Sequence, residues 1–133
     1  MQILHEKPPA DLYKRIQEKF PVDFEKGIII TYGEDVYCKY DLSTQKVVHE
    51  MVHTIQQSKM GKDIWWNKYF EDEWFRLSQE LEAYQEEAKF LKQSIKDRNK
   101  KFMAIRQIAQ DLSGPIYGNI ITYNEAFKLL NNG

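Results

Sequence analysis

Apolar and polar positions along this chain follow two rhythms, and the changes between them outline its elements. After Pro8-Pro9, Leu12, Ile16 and Phe20 recur every four residues. This predicts a helix over about 10–19, opened by proline and stopped at Pro21. The β-branched and aromatic run Ile28-Ile29-Ile30-Thr31-Tyr32 then reads as a strand, Gly33-Glu34-Asp35 as a turn, and Val36-Tyr37-Cys38-Lys39-Tyr40 as the returning strand of an antiparallel hairpin. Asp41, Ser43 and Thr44 are candidate caps for a helix that runs to about Lys59 and stops at Gly61. Residues 63–75 carry Trp65, Trp66, Tyr69, Phe70, Trp74 and Phe75. They read as short helical pieces and loops whose aromatics serve mainly as core.

Helical spacing then dominates. Leu77, Leu81, Tyr84, Ala88, Leu91 and Ile95 form the stripe of a long helix over about 76–98. A further helix covers about 101–112, with Phe102, Ile105, Ile108, Ala109 and Leu112 inward, and Ser113-Gly114-Pro115 breaks it. Thr122-Tyr123-Asn124-Glu125 matches a capping box for a last helix carrying Phe127 and Leu130. The order predicts an α+β fold: a small antiparallel hairpin packed on several helices, in one domain over residues 1–133.

Composition narrows the function classes. Nineteen Lys and Arg are interspersed with 20 Asp and Glu for a net charge of −1, so neither nucleic acid nor an acidic membrane surface is an expected partner. There is no basic-then-apolar leader and no apolar run of about 18 residues, and the only cysteine is Cys38. A soluble protein of a reducing, cytoplasmic compartment is therefore expected. Cys38 alternates in phase with Val36 and Tyr40 and reads as a small core residue. The Lys96, Arg98, Lys100, Lys101 and Arg106 group reads as a solvated face.

The chemistry concentrates at His49-Glu50-Met51-Val52-His53. Two histidines four apart on a helix stand one turn above the other, so both imidazoles can bind one Zn²⁺ at about 2.0–2.1 Å. A glutamate beside the first histidine can serve as general base toward water. At ordinary residue frequencies such a pentapeptide arises by chance in roughly 4 of 1,000 chains of this length, so the match is informative. A catalytic zinc site takes a third protein ligand and leaves one position open. His5 is remote from the motif, near the chain end. Around the long helix, with Leu77 at zero, Glu80 falls at about 300° beside the apolar stripe. Glu87 falls at about 280°, whereas Glu82 and Glu86 fall at about 140° and 180° on the solvent side. Glu80 is the expected third ligand and Glu87 the second choice.

HExxH followed by Glu80-Leu81-Glu82-Ala83 resembles the gluzincin branch of the zincin metallopeptidases. The resemblance implies a minimal zincin-like domain with Glu80 as ligand and Ala83 as a small packing residue. Tyr84 stands where many members have an acidic residue that orients a histidine, which leaves that orientation without a source. Gln56-Gln57, the string Trp65-Trp66, Tyr69, Phe75-Arg76, Glu80 and Ala83-Tyr84, and the tail Tyr117-Gly118-Asn119 with Glu125-Ala126 resemble small zincin-like proteins of tailed bacteriophages and prophages. That narrower likeness implies host cytoplasm or the virion as the location, and phage structural proteins as partners. Zincins lay substrate along a sheet edge, here 28–32 or 36–40. Tyr117 is the candidate oxyanion donor, with Tyr69 and Tyr84 as rivals. The implied activity is zinc-dependent hydrolysis of a peptide or amide bond with Glu50 as base. The alternative is a non-catalytic metal-binding structural or interaction protein on the same scaffold.

Overall fold

A computed structural model describes residues 1–132. It contains strands β1 (Gln2–Leu4), β2 (Ile30–Tyr32) and β3 (Asp35–Tyr37), and helices α1 (Ala10–Lys19), α2 (Thr44–Met60), α3 (Lys62–Glu71), α4 (Glu73–Ser94), α5 (Arg98–Leu112) and α6 (Tyr123–Asn132). The architecture is the expected α+β, helix-rich with a small sheet. No helix among the described residues is long and apolar enough to cross a membrane.

The hairpin forms, with Thr31 opposite Val36, but its strands are shorter than the apolar runs that predict them. The sheet is mixed rather than purely antiparallel. The N-terminal β1, not foreseen, adds in parallel to β3, so the strand order is β1-β3-β2. Strand β3 is therefore central, and only β2 of the two hairpin strands lies at an edge.

Helix boundaries follow their caps. Ser43 accepts a bond from the Lys46 N–H and starts α2. Gly61, at φ +94°, ends α2 and opens α3; an L side chain at that φ would be strained. Asp72 caps α4 three residues before the expected start, by accepting from the Phe75 N–H at 3.1 Å. Asp97 does the same for α5. Thr122 caps α6 as expected, accepting from the Glu125 N–H at 3.2 Å, while its hydroxyl donates to the Glu125 carboxylate at 3.0 Å in place of the backbone bond of a full capping box.

Residues 62–71 form one regular helix rather than short pieces. Aromatics are mediocre helix formers, but four of them, Trp65, Trp66, Tyr69 and Phe70, bury their rings here, and burial outweighs propensity. Trp74, expected in this core, is 82% exposed. Phe102, also expected inside, lies outside the core and packs edge-on against Phe127.

Two apolar clusters result. One joins α1, β2 and α3 around Trp65, and the other joins α4, α5 and α6 around Leu112 and Leu130. Tyr117, in the turn of residues 115–117, packs against both. Helix α2 packs along α4, and their facing sides carry polar side chains.

Candidate metal centre

Position on two facing helices decides the geometry. On α2, His49 and His53 are one turn apart and turn inward. On α4, Glu80 faces them. His49 Nε2 and His53 Nε2 are 3.2 Å apart, and Glu80 Oε1 is 3.3 Å from the first and 3.1 Å from the second. Ligands at 2.0–2.1 Å around a tetrahedral zinc stand about 3.3 Å from one another, so these three atoms already mark one face of such a tetrahedron. All three residues are buried and together form a group able to hold a metal ion.

The partners of the other ring nitrogens test the fit. His49 Nδ1 is 2.9 Å from Glu87 Oε1, and His53 Nδ1 is 2.8 Å from Gln56 Oε1. Both partners are acceptors, so each Nδ1 carries a hydrogen and donates it, and each Nε2 faces the other and a carboxylate oxygen, where it can hold either a proton or a metal ion. Three such atoms at that separation repel unless protons or a metal cation sit among them, and a divalent metal is a cation these donors suit.

The supporting shell was only partly foreseen. Glu87, the second choice as ligand, instead holds His49. It is fully buried and is itself held by Gln45 at 2.6 Å and by Lys46 at 3.1 Å. It supplies the acidic orienting partner that Tyr84 could not. The signal was available: Glu80, Tyr84 and Glu87 are spaced by four and three on one face of α4. Gln56 fixes His53 and is tied to α4 through the Gln79 carbonyl at 3.1 Å. Tyr69 donates its hydroxyl to Glu80 Oε2 at 2.6 Å, leaving Oε1 to face the histidines. Glu82 and Glu86 are exposed, as the helical angles required. His5 lies elsewhere, bound to the Cys38 carbonyl and to Asp41, and Cys38 is buried as read.

Glu50 is buried beside the trio. Its Oε1 accepts from Thr31 Oγ1 at 3.0 Å, and its Oε2 is 3.8 Å from His49 Nε2. Glu50 and His49 line a cavity of about 640 Å³ whose walls include Phe20, Ile29, Tyr84 and Tyr117. The Tyr84 and Tyr117 hydroxyls are 2.7 Å apart, and the Tyr84 ring meets the His49 ring edge-on at 4.4 Å. Arg76, almost fully buried, donates Nε to the Tyr117 carbonyl at 2.9 Å and Nη1 to the Tyr69 carbonyl at 2.6 Å, tying the Tyr117 turn to the residue that orients Glu80. Gly118, at φ +89°, lets the turn pass close by, since a Cβ there would be 3.3 Å from Arg76 Nη2.

Comparison with family profiles, curated proteins and solved structures gives no match. The site therefore rests on its own geometry.

The electrostatics favour positive charge at the trio. Burial alone would depress the imidazoles, but Glu50, Glu80 and Glu87 outweigh it and hold His49 up to about 10. His53 is also raised against its burial, chiefly by Glu80. Burial pushes Glu80 and Glu87 upward, yet the two histidines on Glu80, and His49 with Lys46 on Glu87, hold both carboxyls below their usual range. Burial keeps Tyr84 and Tyr117 protonated well past neutrality, as hydroxyl donors.

Two outcomes follow. Glu87→Ala should weaken zinc binding by about 10–100-fold in a competition titration against a chromogenic chelator, because it frees the His49 ring, while Glu86→Ala at an exposed neighbour leaves affinity unchanged. The second concerns pH. In the metal-free protein the raised histidines stabilise the fold fully below about 6.5, and that contribution is lost as pH rises, for His49 toward its folded value of about 10. The lowered carboxyls stabilise it above about 4.5 and lose that contribution as pH falls. Chelator-treated protein should therefore melt highest near about pH 5–6.5 and decline on both sides. The increment from added zinc should grow toward about pH 8, since the metal must displace protons. A zinc increment independent of pH would contradict this arrangement.

Proposed function

We propose that this protein is a zinc-dependent hydrolase of peptide or amide bonds, with His49, His53 and Glu80 holding the metal and Glu50 acting as general base. The observation that carries this reading is the commitment of both Nδ1 atoms to Glu87 and Gln56, which turns the two Nε2 atoms and a carboxylate oxygen toward one point beside an open cleft. A site that served only to bind metal would have no use for a further buried carboxylate facing the cavity, and Glu50 is such a carboxylate. The likeness to gluzincin-type metallopeptidases supports the same assignment.

Zinc, when bound here, supplies Lewis acidity toward a carbonyl oxygen and makes water a usable nucleophile at neutral pH. The chain's own residues do the rest. Thr31 fixes one oxygen of Glu50, so that Oε2 is free on the side of His49 to accept the proton of the attacking water. Glu50 then delivers that proton to the departing amine nitrogen as the C–N bond breaks and the new C–O bond is kept. Tyr84 can donate to the Tyr117 oxygen across their 2.7 Å contact, which frees the Tyr117 proton for the developing oxyanion. Arg76 positions Tyr117 through its backbone carbonyl.

Glu50→Gln separates this reading from a non-catalytic scaffold. The variant should keep its zinc, as measured by elemental analysis, and lose about 10²–10⁴-fold in the rate of peptide hydrolysis followed by mass spectrometry. Equal rates in wild type and variant would remove Glu50 from the mechanism.

A further inference from the structure

The two ends of α4 carry opposite charge. From Lys92 to Arg106 the chain holds six Lys and Arg and one carboxylate, Asp97, which is engaged as the cap of α5. Among the described residues Lys96, Arg98, Lys100, Lys101 and Arg106 form no ion pair. Phe102 and Met103 stand exposed in their midst. The whole chain is at −1, so the remainder is net acidic.

Part of that acidity gathers at the other end of the same helix. Helix α4 has 22 residues, about 33 Å at 1.5 Å per residue. At its start Glu71, Asp72 and Glu73 follow one another, all exposed and none in an ion pair among the described residues. Two nearby cations, Lys68 and Arg15, lie instead over the Phe75 and Phe70 rings, at 5.1 and 4.5 Å. Trp74 comes next, and it is the most exposed of the large apolar side chains among the described residues, while Trp65 and Trp66 are buried. An indole left in water is the largest apolar surface one side chain can offer a partner.

The basic end has a place for it. The end of α4 and the start of α5 border a hollow of about 400 Å³ walled by Lys92, Arg98, Lys101, Phe102, Ile105 and Asn131, with no carboxylate lining it among the described residues. An indole suits such walls, with an aromatic edge on one side and cations over its face. Carboxylates next to that indole would meet Arg98, Lys100 and Lys101 at the rim. Each end of α4 thus offers what the other lacks, in charge and in apolar shape. A net charge near zero leaves little repulsion between copies. A nucleic acid would complement the basic end and leave Trp74 and its carboxylates without a role; a second copy accounts for both ends.

We propose that this protein self-associates, the acidic corner of one copy docking on the basic corner of another with Trp74 seated in the hollow beside Phe102. The contact joins two different patches and is small, so it is weak and is screened by salt. None of its residues lines the metal centre or the cleft, so it forms with or without metal.

The test uses the full chain as purified. Sedimentation velocity over a concentration series should show association at about 0.1 M salt and its loss at about 1 M, as the screening length falls from about 10 to about 3 Å. Acrylamide, a neutral quencher, should reach Trp74 in dilute protein and be shut out as the protein associates. Two variants each break one end: Glu73→Gln with Trp74→Ala, and Arg98→Gln with Phe102→Ala. Each alone should still melt cooperatively and lose about 30-fold or more in association constant. Mixed, the two should pair, because each keeps the end that the other has lost. A wild type that stays monomeric at low salt up to its solubility limit, variants that associate as the wild type does, or a mixture that fails to pair would overturn the proposal. Monomers that instead bind a single-stranded oligonucleotide through Arg98 would overturn it as well, and would make the basic corner a nucleic-acid surface.

Discussion

Buried charge governs this molecule. Glu50, Glu80 and Glu87 lie inside a domain of modest size, grouped around two imidazoles, and carboxylates are seldom tolerated in such surroundings without matching positive charge. Lys46 offsets one of them. The remainder are matched by protons on the histidines or by a dication among them, and the two compete for the same lone pairs. The packing of α2 against α4 depends on that balance, because the facing sides of these helices are polar at their centre where helix interfaces are usually apolar.

The rest of the fold holds those few atoms in place. Two apolar clusters supply the rigidity, and Tyr117, which packs against both and is held by Arg76, stitches them together. Aromatic residues press on the site from three directions: Tyr84 against His49, Trp65 against His53, and Tyr69 bonded to Glu80. Each side chain of the candidate metal site therefore has its ring or carboxylate locked by a neighbour, which is how a small domain can reach the precision that a metal site would need.

Much of this was legible in the sequence. HExxH fixed the pair on α2, and helical angles singled out Glu80, because both depend only on local periodicity. Ser43, Gly61 and the Thr122 cap were readable for the same reason. What escaped was tertiary. Strand β1 forms by parallel pairing with a partner more than thirty residues away, which no local pattern announces. Helix α3 is held by burial against the propensity of its aromatics, while Trp74, of the same composition, lies outside. Glu87 shares the face of Glu80, but its part was settled by where α2 sits relative to α4. The place of Gln57 was likewise invisible: its buried side chain donates to the Thr31 carbonyl at 2.9 Å and accepts from the Gly33 N–H at 2.6 Å, and in sequence it is indistinguishable from a glutamine facing solvent.

The most direct test of the account is metal content per chain, measured by elemental analysis after purification and zinc reconstitution, for the wild type, His53→Ala, Glu80→Ala and Glu82→Ala. The account predicts about one zinc in the wild type and in Glu82→Ala, and loss in the other two. A wild type that binds no zinc, or a Glu80→Ala variant that binds it as tightly as the wild type, would contradict it.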